Sequence, residues 1–566
     1  MSLCAILWIN IAIAALLFSK PTYAQHHSWM EDSSFAFIGK FNSKGLPTQQ
    51  AQYIDKNNTV RIVAHYRDGV LHGKFLEYDR KGTKRKEMFY LAGELEGNAF
   101  IYSSRGTLLE HRYYEDGELH ATQKEYYENG NLRSEKYFFK GVPQGTWKYF
   151  YENGIVKQTE IWKNGRIYEV STVQTKDGKK LNPGNFSKGN GVRLTYDDEG
   201  NLKSKVSYLN SRLFGEYLEY EPGTQQIKVK RTFKNDTLNG EFAEYKNGKI
   251  FCKGFHKNNF LDSIYIEFYA DSTVAIKGWY TAGLRYKTWT FYYPNGKIRE
   301  QGQYVANKKT GTWEEFYSNG KIKSKENWLD GKKHGIATYY SMEGKMRKTL
   351  QYERDSLYGS YAEFFENGNL SVTGNYIANI PQGHWKYFQY EKRKHYLSEE
   401  GDYEKGYRNG EWKEYSSKRS IIAIGNYQKG KKDGTWRYFY PNGKLRMIEI
   451  WENGKILAIP EYYDKKGRKL DAGTVVEGEG TRFLYYDDGT LYACGKIENG
   501  LPHGDWKYFY KNGRIFNITT FVEGKKQGLS RSYYPNGKPK TDLYYEDDIH
   551  TGEFRHYTRK GKLKLK

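Results

Sequence analysis

A glycine that recurs at a fixed spacing constrains this chain more than any other feature. Gly311, Gly335 and Gly359 follow one another at intervals of 24 residues, and the same interval continues along the sequence. This anchor glycine occupies positions 73, 97, 145, 191, 215, 240, 311, 335, 359, 383, 410, 434, 480, 504, 528 and 552. Copies without the glycine fit at 121, 263 and 287, and irregular copies near 169 and 457 complete a set of 21 repeats. Such a period predicts a tandem repeat architecture instead of separate globular domains.

Two turn signals divide each repeat. Nine residues after the anchor comes a glycine that asparagine often precedes, as in Asn295-Gly296 and Asn442-Gly443, and a second turn such as Asn164-Gly165 follows about eleven residues later. Asn-Gly between strand-like runs predicts a type I′ hairpin turn. We therefore predict an all-β fold, an elongated single-layer antiparallel β-meander of about 21 tandem 24-residue hairpin repeats.

Aromatic residues are the material from which this sheet is built. The chain has 54 Tyr, 29 Phe and 13 Trp, and an aromatic residue stands five positions after the anchor in 19 of the 21 repeats. Because that row is nearly universal, we predict that its members, such as Phe364 and Phe439, form the core. Tryptophan stands two positions after the anchor in only seven repeats. This tryptophan row is the candidate binding face: Trp147, Trp289, Trp313, Trp385, Trp412, Trp436 and Trp506. The alternative is that both rows are the only core of a one-layer sheet.

Two repeats depart from the pattern and resemble each other at an offset of 289 residues, since Ile161-Trp162 corresponds to Ile450-Trp451. They are the candidate domain boundaries. The predicted organisation is a signal peptide at 1–24, an N-terminal leader at 25–60, regular repeats at 61–165, a variant repeat at 166–190, regular repeats at 191–454, a variant repeat at 455–479, and regular repeats with a basic end at 480–566.

The first 24 residues have the pattern of a secretory signal peptide. Residues 5–18 are apolar, and Thr22 and Ala24 occupy the −3 and −1 positions of a small-residue cleavage site. The mature chain is expected to begin near Gln25 and to be exported, to the periplasm, the cell surface or the medium. Only Cys252 and Cys494 remain in it, so stability is expected to come from packing between repeats and not from a disulfide framework.

The charge balance is basic but evenly spread. Lys and Arg number 90 against 67 Asp and Glu, a formal net charge of +23. Charges interspersed along the chain are typical of solvated strand faces, and the alternative is attraction to an acidic partner. Because the chain is expected to leave the cytoplasm, we do not expect nucleic acid as a partner.

No pattern for chemistry stands out from the repeat. Histidines such as His334 and His503 precede an anchor glycine, which fits a turn residue better than a metal ligand. Adjacent carboxylates such as Glu399-Glu400 point to opposite faces of a strand. Phosphate-loop, dinucleotide-binding, nucleophile-elbow and zinc-protease motifs are not found. We therefore expect no catalytic, cofactor-binding or metal-binding residues, no cofactor, and no enzymatic activity.

Together these residues resemble the MORN repeat, in the bacterial variant that reads Gly-x-Trp-x-Tyr-Tyr-x-x-Asn-Gly-Lys. The resemblance covers about residues 61–566 and includes the lysine after the turn, as in Lys297 and Lys321. It implies a single-layer elongated antiparallel sheet and a role in protein interaction or lipid association. Some bacterial relatives carry an antitoxin-component label.

These observations predict an exported, non-enzymatic β-repeat scaffold. Its partner is expected to be a protein or an envelope component bound along an extended aromatic and basic face, with anionic lipid and glycan as further candidates. The alternatives are a glycan-binding module associated with the cell wall and an antitoxin-like neutralising protein.

Overall fold

The computed structural model describes residues 35–391 and 393–564, so the predicted signal peptide and the first ten residues of the leader lie outside it. The described residues form strands, turns and bends but no helix. Accordingly, none of them belongs to a helix that is long and apolar enough to cross a membrane. The chain divides between Ser272 and Thr273 into two compact units, each of which is considered separately below.

The first unit contains two runs of strands. They are β1 (Phe35–Phe41), β2 (Pro47–Asp55), β3 (Val60–Arg67), β4 (Val70–Tyr78), β5 (Lys84–Leu91), β6 (Glu94–Leu95), β7 (Gly97–Tyr102), β8 (Leu108–Glu115), β9 (Glu118–Leu119), β10 (Ala121–Tyr126), β11 (Leu132–Phe139), β12 (Val142–Pro143), β13 (Gly145–Phe150), β14 (Val156–Lys163) and β15 (Arg166–Val173), then β16 (Gly191–Tyr196), β17 (Leu202–Leu209), β18 (Arg212–Tyr220), β19 (Ile227–Lys234), β20 (Thr237–Leu238), β21 (Gly240–Lys246), β22 (Lys249–Lys257) and β23 (Phe260–Phe268).

The second unit also contains two runs. They are β24 (Val274–Thr281), β25 (Leu284–Tyr292), β26 (Ile298–Val305), β27 (Lys308–Phe316), β28 (Ile322–Leu329), β29 (Lys332–Tyr340), β30 (Met346–Glu353), β31 (Ser356–Phe364), β32 (Leu370–Ile377), β33 (Ile380–Glu391), β34 (Lys394–Glu404), β35 (Tyr407–Tyr415), β36 (Ile421–Gln428), β37 (Lys431–Phe439), β38 (Leu445–Glu452) and β39 (Lys455–Tyr462), then β40 (Gly480–Tyr485), β41 (Leu491–Glu498), β42 (Leu501–Phe509), β43 (Ile515–Val522), β44 (Lys525–Tyr533), β45 (Pro539–Glu546) and β46 (Ile549–His556).

Within each run the strands pair in the order of the sequence, and every pairing is antiparallel. In the first sheet the two-residue strands β6, β9 and β12 extend the pairing of β5, β8 and β11. Each repeat supplies one hairpin, such as β37 with β38, in which Trp436 faces Glu449. The all-β class and the antiparallel meander of hairpin repeats are therefore confirmed.

The first turn of each repeat differs from the predicted type I′ turn. In the hairpin of β37 and β38, the N–H of Gly443 donates to the Tyr440 carbonyl at 2.8 Å, and the Tyr440 N–H donates to the Lys444 carbonyl at 2.8 Å. Gly443 has φ +86°, whereas Asn442 is not among the residues with positive φ. This geometry is a type I turn followed by a left-handed glycine. The type I′ pattern belongs instead to the second turn, where Asn453 has φ +49° and Gly454 has φ +83°.

The first turn of each repeat is accompanied by a shift in strand register. A bulge separates Tyr438 from Phe439, so the residue five positions after the anchor no longer alternates with those before it. The same shift occurs between Glu315 and Phe316. Side-chain direction in this part of the repeat therefore departs from simple alternation.

Side chains at the first turn of one repeat form hydrogen bonds to the next repeat. The Tyr317 hydroxyl donates to the Tyr340 carbonyl at 2.8 Å, and the Asn319 amide donates to the Met342 carbonyl at 3.2 Å. The tyrosine contact recurs with the same spacing from residues 127, 151, 293, 440, 486, 510 and 534. Each such pair satisfies a backbone carbonyl of the following repeat, as a nearest-neighbour array requires.

Sheet pairing stops at both variant repeats. One sheet ends at β15 and the next begins at β16, and a second interruption lies between β39 and β40. Isolated bridges fill the two intervals in the same way, Gly184 with Arg193 in one and Gly473 with Arg482 in the other. Small apolar clusters around Phe186 and Val475 replace the regular ladder there.

A buried ion pair accompanies each interruption. Glu160 and Glu449 are almost fully buried. Their carboxylates contact the guanidinium groups of Arg193 and Arg482, respectively. The indole of the tryptophan that follows each glutamate on the same strand also donates to it, at 2.9 and 3.0 Å. Because both pairs have the same partners at equivalent positions, the two variant repeats share one structural solution.

Candidate binding face

The predicted binding face is buried. All seven residues of the tryptophan row have between 0 and 8% of their surface exposed. They cannot offer their rings to a partner in this conformation, so the prediction that Trp147, Trp289, Trp313, Trp385, Trp412, Trp436 and Trp506 form an exposed face is wrong. The row instead packs as the core of the sheet.

Glycine on the neighbouring strand explains this burial. An ideal Cβ added at Gly425 would lie 2.3 Å from the Trp436 ring, and one added at Gly302 would lie 2.2 Å from the Trp313 ring. Six of the seven tryptophans cover a glycine of the preceding strand in this way; the glycines are Gly278, Gly302, Gly374, Gly401, Gly425 and Gly495. In six of the seven, the indole N–H also donates to a carbonyl of that preceding strand, at 2.9 to 3.1 Å.

Tyrosine rings and cations complete the enclosure. Trp412 meets Tyr403 and Tyr427 edge to face, with centroids 5.4 and 6.0 Å away, and Tyr427 in turn meets Trp436 at 5.2 Å. The Arg408 guanidinium lies 4.0 Å from the Trp412 ring centroid, and the Lys432 ammonium lies 4.0 Å from that of Trp436. These contacts cover the face of the tryptophan row that the glycines do not.

The row five positions after the anchor is not the core that the sequence predicted. Phe364 and Phe439 are only half-buried. The bulge before each of them turns the side chain away from the direction that simple alternation gives. The backbone at this position takes part in the contact between repeats, because the Phe316 carbonyl accepts a hydrogen bond from the Tyr293 hydroxyl at 2.8 Å.

Exposed rings lie instead on the opposite face of the first sheet. Phe89, Tyr113 and Tyr137 stand on the second strand of consecutive repeats, and each pairs with the residue that follows an anchor position. Phe89 is 44% exposed, Tyr137 is 36% exposed, and Tyr113 is half-buried. We call these three residues the aromatic column, and their place in the repeat the column position.

Short polar residues separate the rings of the aromatic column. Asn98 is the registered partner of Tyr113, and Thr122 is the partner of Tyr137. The space beside Phe89 forms a shallow depression of about 450 Å³, whose lining includes Asn98 and Phe100. The aromatic column is therefore a series of ridges and grooves that runs across the strands.

The charges beside the aromatic column are paired with one another. Lys74 contacts Glu87 at 2.7 Å, and Lys124 contacts Glu135 at 3.5 Å. Hydrogen bonds from Lys74 and Lys84 hold the pKa of Glu87 below its ordinary value. Burial, with the nearby Lys124 charge, lowers the pKa of His111, so this side chain is neutral near pH 7. Its ring stacks on Phe100, with the two ring centroids 4.6 Å apart.

The same repeat position forms a second depression in the other unit. Trp279 also occupies the column position and is 37% exposed. With Tyr286, Lys287 and Val305 it lines a depression of about 370 Å³. The repeats that follow place polar residues at the column position, namely Gln303, Asn327, Gln351, Asn375, Asp402 and Asn426.

The aromatic column was missed because it is confined to a few repeats. A row is conspicuous in a sequence when its position is aromatic in most repeats, whereas the column position is aromatic in some repeats and polar in others. A position that varies between repeats while the frame stays constant is the signal that was available.

Among the described residues, no group of three or more His, Cys, Asp or Glu could hold a metal ion.

The fold and this face define a tandem β-hairpin repeat protein. Eight segments match the family model described as the MORN repeat variant: residues 119–140, 143–164, 190–210, 285–306, 309–330, 432–453, 502–523 and 526–547. These eight segments are therefore MORN repeats of the variant type, as the sequence predicted.

Comparison with other proteins adds little to this assignment. No curated protein matches the chain. The crystal structure of TcdB2-TccC3-Cdc42 aligns at 12% identity and TM-score 0.13, over 96% of this chain and 34% of that one. The crystal structure of TarM aligns at 9% identity and TM-score 0.14, over 28% of this chain and 25% of that one. The chain thus spans about a third and a quarter of these proteins, and at such TM-scores neither likeness carries an argument.

Proposed function

We propose that this chain is an exported, non-enzymatic scaffold that holds a protein or an envelope component against the aromatic column. The observation that carries the proposal is the exposure of Phe89 and Tyr137 at the column position of two repeats of one sheet, with half-buried Tyr113 at that position in the repeat between them. The MORN repeat and the all-β repeat fold support a scaffold role.

The sheet beneath the aromatic column favours binding for a physical reason. Each ring stands on a strand that is paired on both sides, so the backbone that carries it is held in place. A rigid surface loses little conformational entropy when a partner binds, and aromatic side chains contribute most of the affinity at many interfaces.

Crosslinking in intact producing cells, followed by capture of the chain, tests this proposal. The variant F89A/Y113A/Y137A is expected to lose the crosslinked partner that the wild type captures. The matched control is N327A/Q351A, which changes the same repeat position where it is polar. Equal capture by the triple variant and the wild type would contradict the proposal. N-terminal sequencing tests the export component, for which a start near Gln25 is expected.

A glycan-binding module is the second candidate function. It is favoured by polar groups beside the rings, since His111 Nε2 lies 2.8 Å from Asn98 Oδ1 within the groove next to Phe100. Aromatic faces with flanking hydrogen-bonding groups suit sugar rings. A glycan array separates this candidate from a protein partner. The antitoxin-like alternative stays a prediction.

A further inference from the structure

The spacing of the aromatic column restricts what can lie along it. Phe89, Tyr113 and Tyr137 recur every second strand, and strands lie about 4.8 Å apart, so the rings recur about every 9.6 Å across the sheet. An extended peptide presents side chains on one side about every 6.7 Å, so its side chains fall out of register with the rings within one repeat. A polyproline II helix advances about 3.1 Å per residue with three residues per turn, which gives a repeat of about 9.3 Å.

The relief of the aromatic column has the same period. The partners Asn98 and Thr122 are shorter than the rings on either side, so one groove falls between each pair of ridges. A ligand with one projecting residue per turn can therefore place successive projections in successive grooves. Because the polyproline II helix is already extended in solution, it loses little entropy on binding.

The charges beside the aromatic column further restrict the kind of ligand that suits it. Lys74, Lys84 and Lys124 are engaged with carboxylates of the same face, and His111 is neutral near pH 7. These paired cations attract a polyanion weakly, although the whole chain is basic. An uncharged, proline-rich segment complements the face better than an acidic polymer does.

We propose that the aromatic column binds a proline-rich segment in the polyproline II conformation, laid across the strands with one turn for each repeat. This inference rests on the proposed function, because it names the partner chemistry for the same face. The rings pack on proline side chains, and the grooves over Asn98 and Thr122 receive one residue per turn.

Titration of the full chain with an oligoproline of about ten residues tests the inference, since such a peptide spans about 31 Å and exceeds the two ring intervals of about 19 Å. A Gly-Ser peptide of equal length and a chitin oligosaccharide are the comparison ligands. We expect binding of the oligoproline alone. We expect Tyr113→Ala to weaken it roughly tenfold or more and Asn327→Ala to leave it unchanged.

A second measurement needs no variant. Bound oligoproline is expected to protect Phe89 and Tyr137 of the wild-type protein from hydroxyl-radical labelling while Trp279 stays labelled. Binding of the oligosaccharide in place of the oligoproline, or oligoproline binding without protection of the aromatic column, would overturn the inference. If oligoproline fails to bind while capture in cells still depends on the aromatic column, the scaffold proposal stands and only this inference falls. If both fail, both proposals fall.

Discussion

The indole of Trp436 lies directly on the backbone of Gly425, so closely that a Cβ at position 425 would stand 2.3 Å from the ring. Trp436 is fully buried as a result, and its N–H donates to the Asn426 carbonyl at 2.9 Å. The same contact between ring and glycine occurs in six of the seven repeats that carry the tryptophan. It explains how a sheet with few aliphatic residues encloses its large rings.

Gly425→Ala is expected to destabilise the hairpin of β37 and β38 by roughly 1 to 3 kcal/mol, because the added methyl group displaces the Trp436 ring. The cost should fall sharply in a Trp436→Ala background, where the ring is absent. Hydrogen exchange across residues 421–452 measures both effects. Equal costs in the two backgrounds would show that the ring and the glycine do not interact.

The anchor position gives a stabilising prediction. Ala121 occupies it with φ +59°, a left-handed conformation that costs a residue with a Cβ about 1 to 2 kcal/mol. Ala121→Gly is expected to stabilise its repeat by about 0.5 to 1 kcal/mol after the added entropy of the unfolded glycine is counted. Gly145→Ala, the reverse change in the next repeat, is the matched control and should destabilise. Local hydrogen exchange in β10 and β13 reports both, and a destabilised Ala121→Gly variant would contradict the argument.

Tyr317→Phe removes one bond between repeats. Its hydroxyl donates to the Tyr340 carbonyl at 2.8 Å, and loss of that bond is expected to cost about 0.5 to 1.5 kcal/mol. The faster exchange should appear in the turn after Tyr340, in the following repeat and not in the mutated one. Tyr340→Phe is the control, because it keeps the backbone carbonyl that accepts this bond. No change at the Tyr340 turn in Tyr317→Phe would argue against coupling of repeats through this bond.

The period, the hairpins and the positions of both turns could be predicted, because glycine and asparagine mark conformations that few other residues adopt. How often a position is aromatic did not predict which row of rings is buried. The bulge between Tyr438 and Phe439 breaks the alternation on which that argument depended. The glycine that precedes the tryptophan at a constant spacing, as Gly425 precedes Trp436, was visible in the sequence and would have placed the tryptophan in the core. The aromatic column could not be placed without knowing which face the tryptophans leave open.

His256 gives a pH dependence with a definite sign. Burial, assisted by the Arg231 charge, lowers its pKa to about 4, and its ring packs on Phe242 at 4.5 Å. Between the ordinary value of about 6.5 and about 4, the unfolded chain binds a proton that the folded chain does not. The stability of β21 and β22 is therefore expected to be full above a pH of about 6.5 and to fall as the pH drops toward about 4.

Protection factors from hydrogen exchange at pH 7 and pH 5 measure that loss. His256→Gln, which does not titrate, should remove the difference in β21 and β22 and leave that of other hairpins unchanged. A pH dependence that survives the substitution would assign it to another group.

Hydroxyl-radical labelling of every aromatic side chain, read by mass spectrometry in the purified protein and in intact producing cells, tests the central claim most directly. In the purified protein, Phe89, Tyr137 and Trp279 should be labelled quickly and the tryptophan row slowly. In cells, Phe89 and Tyr137 should become protected by the bound partner. Labelling of Trp313 and Trp436 as fast as Trp279, or equal labelling of the aromatic column in both samples, would contradict the account.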